Sequence, residues 1–182
     1  MSKFVTSDTH IGHINILKYC PRTRPFASVA DMNDFILKTW NQQVSPDDEV
    51  YHLGDIFMSD RVAGIHFLEN ANGKKYLIRG NHDRYKNFPY ENYFEWIRDY
   101  YELGYRKNKI VMCHYPIEYW NMGQYGMIHL HGHLHGDKPE GMHDKANRFD
   151  VGWDAHNRLI PLDEILEWKV DIKHNHHDGS VR

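Results

Sequence analysis

An α/β architecture built on two sheets is predicted for this chain of 182 residues. Three observations predict it. The first half alternates short apolar runs of strand length with runs whose apolar residues recur at helical spacing. The second half contains strand-like runs with no helix between them. The apolar runs that matter end in clusters of Asp, Asn, His and Gly. Alternating strand and helix favours βαβ units and a largely parallel sheet. Strands that follow one another directly suggest a second, antiparallel-rich sheet packed on the first. Ligands of such sheets gather outside the carboxyl ends of the strands, which is where the polar clusters fall.

Residues 3–7 read as a strand ending in Asp8-Thr9-His10, and residues 14–19 as a helix stopped by Pro21. Residues 31–44 form a better helix, with Met32, Phe35, Ile36 and Trp40 on one face and Asp31 as its cap. After the turn Pro46-Asp47-Asp48, residues 49–53 read as a strand closed by Gly54-Asp55. Residues 60–70 have helical spacing through Val62, Ile65 and Leu68, ended by Asn72-Gly73. Residues 75–78 are a strand running into Arg79-Gly80-Asn81-His82-Asp83. In the second half, residues 99–103 and 109–113 suit a hairpin around 104–108. Residues 127–130 precede His131–His135, residues 148–151 and 159–160 suggest a further strand pair, and 162–168 a short helix after Pro161. One domain over 1–173 is expected, with a polar, disordered tail over 174–182.

Composition narrows the function classes. The net charge is −3 with His neutral, and no long stretch is strongly basic, which weighs against gripping long nucleic acid. Two cysteines, Cys20 and Cys113, make no disulfide framework. The amino-terminal residues lack the apolar core of a signal peptide, and no stretch suits a membrane span. A cytoplasmic protein without membrane attachment is the expectation. The unusual component is histidine, at 15 residues.

Five clusters carry the chemistry: Asp8-Thr9-His10, Gly54-Asp55, Gly80-Asn81-His82-Asp83, His114 and Gly132-His133-Leu134-His135. Carboxylate, amide oxygen and imidazole are ligands for Mn²⁺, Fe, Ni²⁺ or Zn²⁺ rather than for soft thiolate sites. Residues at i and i+2 of an extended chain point the same way, so Asp8 and His10 are expected to converge, as are His133 and His135. Asp8, His10, Asp55, Asn81, His114, His133 and His135 make seven candidates. That is too many for one ion with an open position. Two divalent ions sharing a bridging carboxylate use them all, and such pairs, roughly 3.5–4 Å apart, activate water and clamp a phosphoryl oxygen. His82 is left to protonate a leaving alkoxide or stabilise developing charge. Asp83 is expected to hydrogen-bond His82 and set its tautomer, its plainer reading being a cap for a loop turn.

The ordered set D-x-H, G-D, G-N-H-D, H, G-H-x-H, from Asp8 to His135, resembles the calcineurin-like metallophosphoesterase superfamily, in its small single-domain bacterial and phage-type form. The resemblance implies a four-layer α-β-β-α sandwich of two mixed sheets flanked by helices. It implies a first metal held by Asp8, His10, Asp55 and His135, and a second by Asp55, Asn81, His114 and His133. His82 is implied as the acid or phosphate-contacting residue. The implied reaction is metal-dependent hydrolysis of a phosphate ester, a diester ahead of a monoester, with Mn²⁺ the foremost metal and a small phosphate ester or nucleotide as substrate. A nuclease using the same site and a non-catalytic, protein-binding scaffold are the alternatives. Protein phosphatases of this superfamily carry G-D-x-x-D-R-G. Met58 stands here in the place of the second Asp, which argues against that activity.

Other residues have plainer readings beside them. His52, His66, His129 and His156 are read as core histidines, and His131 is ambiguous. His13 either caps the helix that follows or reaches the cleft. Arg79 either touches substrate or is solvated. Arg22, Arg24, Arg84 and Lys86 either rim the site or form a solvated face, the latter preferred for most of them. The aromatic stretch 115–125 either stacks on a substrate or folds over the core.

Overall fold

The computed structural model describes residues 1–84 and 88–172. The tail expected over 174–182 and Lys86 lie outside the described residues. β1 (Lys3–Thr6), β2 (Glu49–His52) and β3 (Lys74–Ile78) pair in parallel, as the alternation predicts. β4 (Ile97–Arg98) extends this sheet parallel to β3. The second sheet runs in the order β5 (Tyr100–Tyr105), β6 (Asn108–Cys113), β7 (Ile128–His131), β8 (Arg148–Asp150). β5 and β6 form the expected hairpin, and its turn is tight because Arg106 (φ 44°) and Lys107 (φ 65°) are both left-handed.

Two expectations about the second half are corrected. The second sheet is mixed rather than antiparallel-rich, because β7 is parallel to both β6 and β8. Residues 148–151 and 159–160 are not a strand pair. β8 joins the second sheet, whereas β9 (Ile160–Pro161) closes the far edge of the first, antiparallel to β1. Pro161 cannot donate to a ladder and so suits an edge.

The helices are α1 (Ile16–Tyr19), α2 (Val29–Gln43), α3 (Arg61–Asn70), α4 (Trp153–His156) and α5 (Leu162–Trp168). α2 starts earlier than expected because Ser28, not Asp31, is its cap: the Ser28 hydroxyl accepts the Asp31 N–H at 3.1 Å. Met32, Ile36 and Trp40 form its buried stripe, while Phe35 is half-exposed. α3 turns Gly64, Phe67 and Leu68 inward and leaves Val62 in solvent, so its expected face is only partly right. The glycine lets α3 ride directly over the Phe57 ring, and that contact sets the rotation of the helix.

Strand alternation then divides the interior into two cores. Phe4, Val50 and Leu77 face α2 and α3 and join Met32, Ile36, Trp40 and Phe67. Val5, Tyr51 and Ile78 face the second sheet and meet Ile110, Met112, Ile128 and Leu130. The structure is thus two mixed sheets face to face with flanking helices, as expected. On the outer face of the second sheet His129 is covered by Trp120, with ring centroids 5.3 Å apart. His52 and His129 are buried, as predicted, and desolvation pushes them down to about 3 and about 4. His66 is exposed, against expectation, and His156 is half-buried against Trp168.

Candidate metal centre

The parallel strands of both sheets end at one rim. Asp8 follows β1, Asp55 follows β2, Asn81 follows β3, His114 follows β6, and His133 and His135 follow β7. The expected mechanism of convergence is corrected. Asp8 (φ 56°), His10 (φ 49°), Asp55 (φ 55°), His133 (φ 70°) and His135 (φ 53°) are left-handed, so these side chains are brought together by bent backbone and not by strand alternation. Left-handed non-glycine residues each store on the order of 1–3 kcal/mol and persist where surroundings over-determine them. The surroundings here are unusually close. A Cβ on Gly80 would overlap the Asp55 carboxylate, and one on Gly132 would overlap the Ser7 hydroxyl and the Asp8 carboxylate. The glycines of G-N-H-D and G-H-x-H are therefore the points where neighbouring loops touch.

The side chains fall into two groups. Ligand atoms of Asp8, His10 and His135 lie within 4.8 Å of one another, and so do those of Asp55, His114 and His133. Asp55 Oδ2 stands between the groups, 3.7 Å from His10 Nε2 and 3.5 Å from His114 Nε2. Each aspartate is tethered by one oxygen and offers the other. Asp8 Oδ2 accepts the His133 N–H at 2.9 Å, leaving Oδ1 buried with no hydrogen-bond partner among the described residues. Asp55 Oδ1 accepts the His82 N–H at 2.8 Å, leaving Oδ2 to the imidazoles. His114 meets the Leu53 carbonyl through Nδ1 at 2.8 Å, which leaves its Nε2 lone pair 3.1 Å from Asn81 Oδ1. Both ring nitrogens of His10 are buried and unpaired among the described residues.

Orphaned lone pairs packed at this density are the mark of a cation site. The electrostatics agree. Burial raises Asp8 to about 8, with Asp55 adding to it, and burial pushes His10, His114 and His133 down. Without a cation, the protein drives these four groups toward neutrality. His135 is the exception, its burial outweighed by hydrogen bonds to Asp154 and Cys20 and by the Asp8 charge, which push it up to about 10. Bound divalent ions reverse that balance. The residues present therefore fit divalent metal.

The family model for calcineurin-like phosphoesterases matches residues 1–180. The chain belongs to that family. Its members use divalent metals to hydrolyse phosphate esters. An uncharacterised protein of Methanocaldococcus jannaschii is 35% identical over 170 residues, covering 90% of this chain and 89% of the relative. The gene 66 protein of Mycobacterium phage D29 is 30% identical, covering 92% and 96%. Among solved structures, the Aquifex aeolicus protein AQ665, of unknown function, superposes with a TM-score of 0.74 at 25% identity, covering 91% of this chain and 98% of that one.

Around the phosphoesterase centre, His82 is half-exposed at the mouth, its ring 5.6 Å from that of His10 and its Nε2 3.9 Å from Asp55 Oδ2. His13 is buried beside His10, centroids 5.3 Å apart, so of its two readings the cleft is where it lies. Asp83 does not take the expected place behind His82. Its carboxylate accepts three backbone amides, Asp55 N at 2.6 Å, Gly80 N at 2.9 Å and Ile56 N at 3.1 Å. It clamps the G-N-H-D loop to the G-D loop. Arg79 is held bidentately by Asp99 at 2.9 Å, on an exposed edge.

Asp154 is a residue that the sequence did not single out, and Arg24, expected on a rim or a solvated face, is instead buried beside it. Arg24 is 1% exposed and Asp154 4%. Arg24 sits among turn residues in Arg22-Thr23-Arg24-Pro25, a context that signals surface, and Asp154 opens a short helix, where an acid is ordinary. Nothing local marks either as interior.

Proposed function

We propose that this phosphoesterase works through a binuclear centre and favours phosphodiesters. The observation that carries the proposal is the position of Asp55 Oδ2, untethered and shared between the two ligand groups. Asp8, His10 and His135 would complete the first site, and Asn81, His114 and His133 the second. Bound there, two divalent ions, Mn²⁺ foremost, supply water activation and neutralise charge on the phosphoryl oxygens. The protein's own side chains do the rest. Asn81 and His82 contact the phosphoryl group, and His82, open to the mouth, delivers a proton to the leaving oxygen. Tyr115 stands 4.9 Å from both His114 and His133, and its exposed ring forms a wall for an organic substituent of the ester. Arg79 and Arg24 are consumed by Asp99 and Asp154, so neither is offered to a dianionic monoester. A singly charged diester or a small nucleotide diester suits the site better.

The test is hydrolysis of bis-p-nitrophenyl phosphate against p-nitrophenyl phosphate after chelation and re-addition of Mn²⁺, with Asp55→Asn as control. Mn²⁺-dependent turnover, faster on the diester and lost in the variant together with bound metal, is expected. Faster turnover of the monoester refutes the diester preference. Full activity with one ion per chain refutes the binuclear centre.

A further inference from the structure

One buried fork ties three separated parts of the chain to the first ligand group. The Arg24 guanidinium meets Asp154 bidentately, Nε to Oδ1 at 2.8 Å and Nη2 to Oδ2 at 2.8 Å. It also donates to the Thr9 carbonyl at 2.9 Å, to the Asp8 carbonyl at 2.6 Å and to Met32 Sδ at 3.4 Å. A guanidinium has five N–H donors, and all five are used. Asp154 is equally saturated. Oδ1 also accepts the Thr23 hydroxyl at 2.6 Å, and Oδ2 meets His135 Nδ1 at 2.7 Å.

We infer that Arg24 and Asp154 are a positioning pair for the first metal site, Asp154 aiming His135 and Arg24 holding the Asp8–His10 turn against it. The inference rests on the binuclear reading above. Its physical basis is directional. With Nδ1 given to Asp154, His135 is left with Nε2 to offer to the group of Asp8 and His10 to which it belongs. The carbonyls held by Arg24 belong to Asp8, which is left-handed, and to Thr9, between it and the left-handed His10. A buried ion pair adds little to stability unless its geometry is complete, but a complete one fixes the orientation of everything attached to it.

Cys20, His135 and Asp154 also lie within 4.8 Å of one another, a set that resembles a cation site of its own. That reading fails on the same geometry. Thr23, Arg24 and His135 fill both Asp154 oxygens, and the guanidinium beside them repels a cation.

The experiment measures Mn²⁺ binding by titration calorimetry, together with urea unfolding, for Asp154→Asn, Arg24→Lys, His135→Ala and the Asp154→Asn/His135→Ala pair. The expected result for Asp154→Asn is a loss of roughly 10–100-fold at one of two Mn²⁺ sites, as for other groups that orient a metal-binding histidine. The other site holds within about two-fold. The double variant should bind no worse than His135→Ala alone. If Asp154→Asn shifts the urea midpoint while both affinities stay within two-fold, or weakens both sites equally, the pair is only structural and the inference falls. Should Asp154→Asn fail to fold, Thr23→Val removes the bond to Oδ1, the other oxygen of the carboxylate that aims His135, and is expected to weaken the same site by a few-fold. No change there overturns the inference equally. If His135→Ala itself loses no Mn²⁺, the ligand assignment has failed instead, a separate outcome.

Discussion

Replacing Asp83 separates two accounts of the G-N-H-D loop. If Asp83 orients His82, Asp83→Asn should slow turnover and leave folding alone. The structure has its carboxylate accepting three amides from two loops. Asparagine keeps one oxygen and sets an NH₂ group against at least one amide N–H. An orphaned buried donor costs about 1–3 kcal/mol. Burial pushes the Asp83 carboxyl up to about 6, so the ionised clamp carries a desolvation cost that asparagine avoids. The two effects are of similar size and opposite sign. The net change in stability, read by urea unfolding of the chelated protein at pH 7, is therefore expected to be smaller than the orphaned donor alone would give, about 1–3 kcal/mol. Because Asp83 holds the Asp55 amide, Mn²⁺ affinity should fall as well. A double-mutant cycle with His82→Ala then decides between the accounts. The clamp predicts that Asp83→Asn still reduces turnover and metal binding when His82 is absent. Unchanged metal binding, with a rate defect that vanishes in the His82→Ala background, would refute it.

Three further outcomes are expected. His82→Ala should reduce turnover about 10²–10⁴-fold while Mn²⁺ stoichiometry, measured by elemental analysis, stays the same; full activity toward a substrate with a poor leaving group would remove His82 from proton transfer. Gly132→Ala should displace the Asp8 carboxylate, destabilise the fold by about 1–3 kcal/mol and weaken one Mn²⁺ site, as read by unfolding and calorimetry. His129 is buried and held down at about 4, against about 6.5 when unfolded. Between those values the unfolded chain takes up a proton that the folded chain refuses, so stability falls as pH drops from about 6.5 to about 4, by about 3 kcal/mol in total. His129→Leu should flatten that part of the pH profile of the urea midpoint, and an unchanged slope would show that His129 is not the group responsible.

The candidate ligand set was legible because its residue types sit directly after apolar strands, in an order that few other functions require. The parallel core β1–β2–β3 was legible from its alternation. The second sheet was less so, because a strand of three residues such as β8 says nothing about which neighbour it joins or in which direction. His66 illustrates a different limit. It occurs on a helix with a weakly amphipathic pattern, where Gly64, the residue that decides which face packs, has no side chain to reveal it. Asp83 has a different partner from the expected one. Adjacency in sequence suggested His82, whereas the carboxylate reaches back to amides 27 and 28 positions earlier.

The same logic accounts for the way the centre is built. A carboxylate that is to bind a cation, as in the proposed centre, must be held without being used up, and each of these two aspartates is fixed at one oxygen by a main-chain N–H from another loop of the site: Asp8 by His133, Asp55 by His82. Ligand loops are thus tied to one another through the ligands themselves. The left-handed backbone that makes this possible and the desolvated carboxylates both oppose folding locally. In the proposed centre, bound ions would offset that opposition, by about 4 kcal/mol per site at a thousand-fold excess over the dissociation constant. The rim of the two sheets is therefore the part of the molecule whose stability depends most on metal. The two cores beneath it, built from Trp40, Phe67, Ile110 and Leu130 and their neighbours, do not.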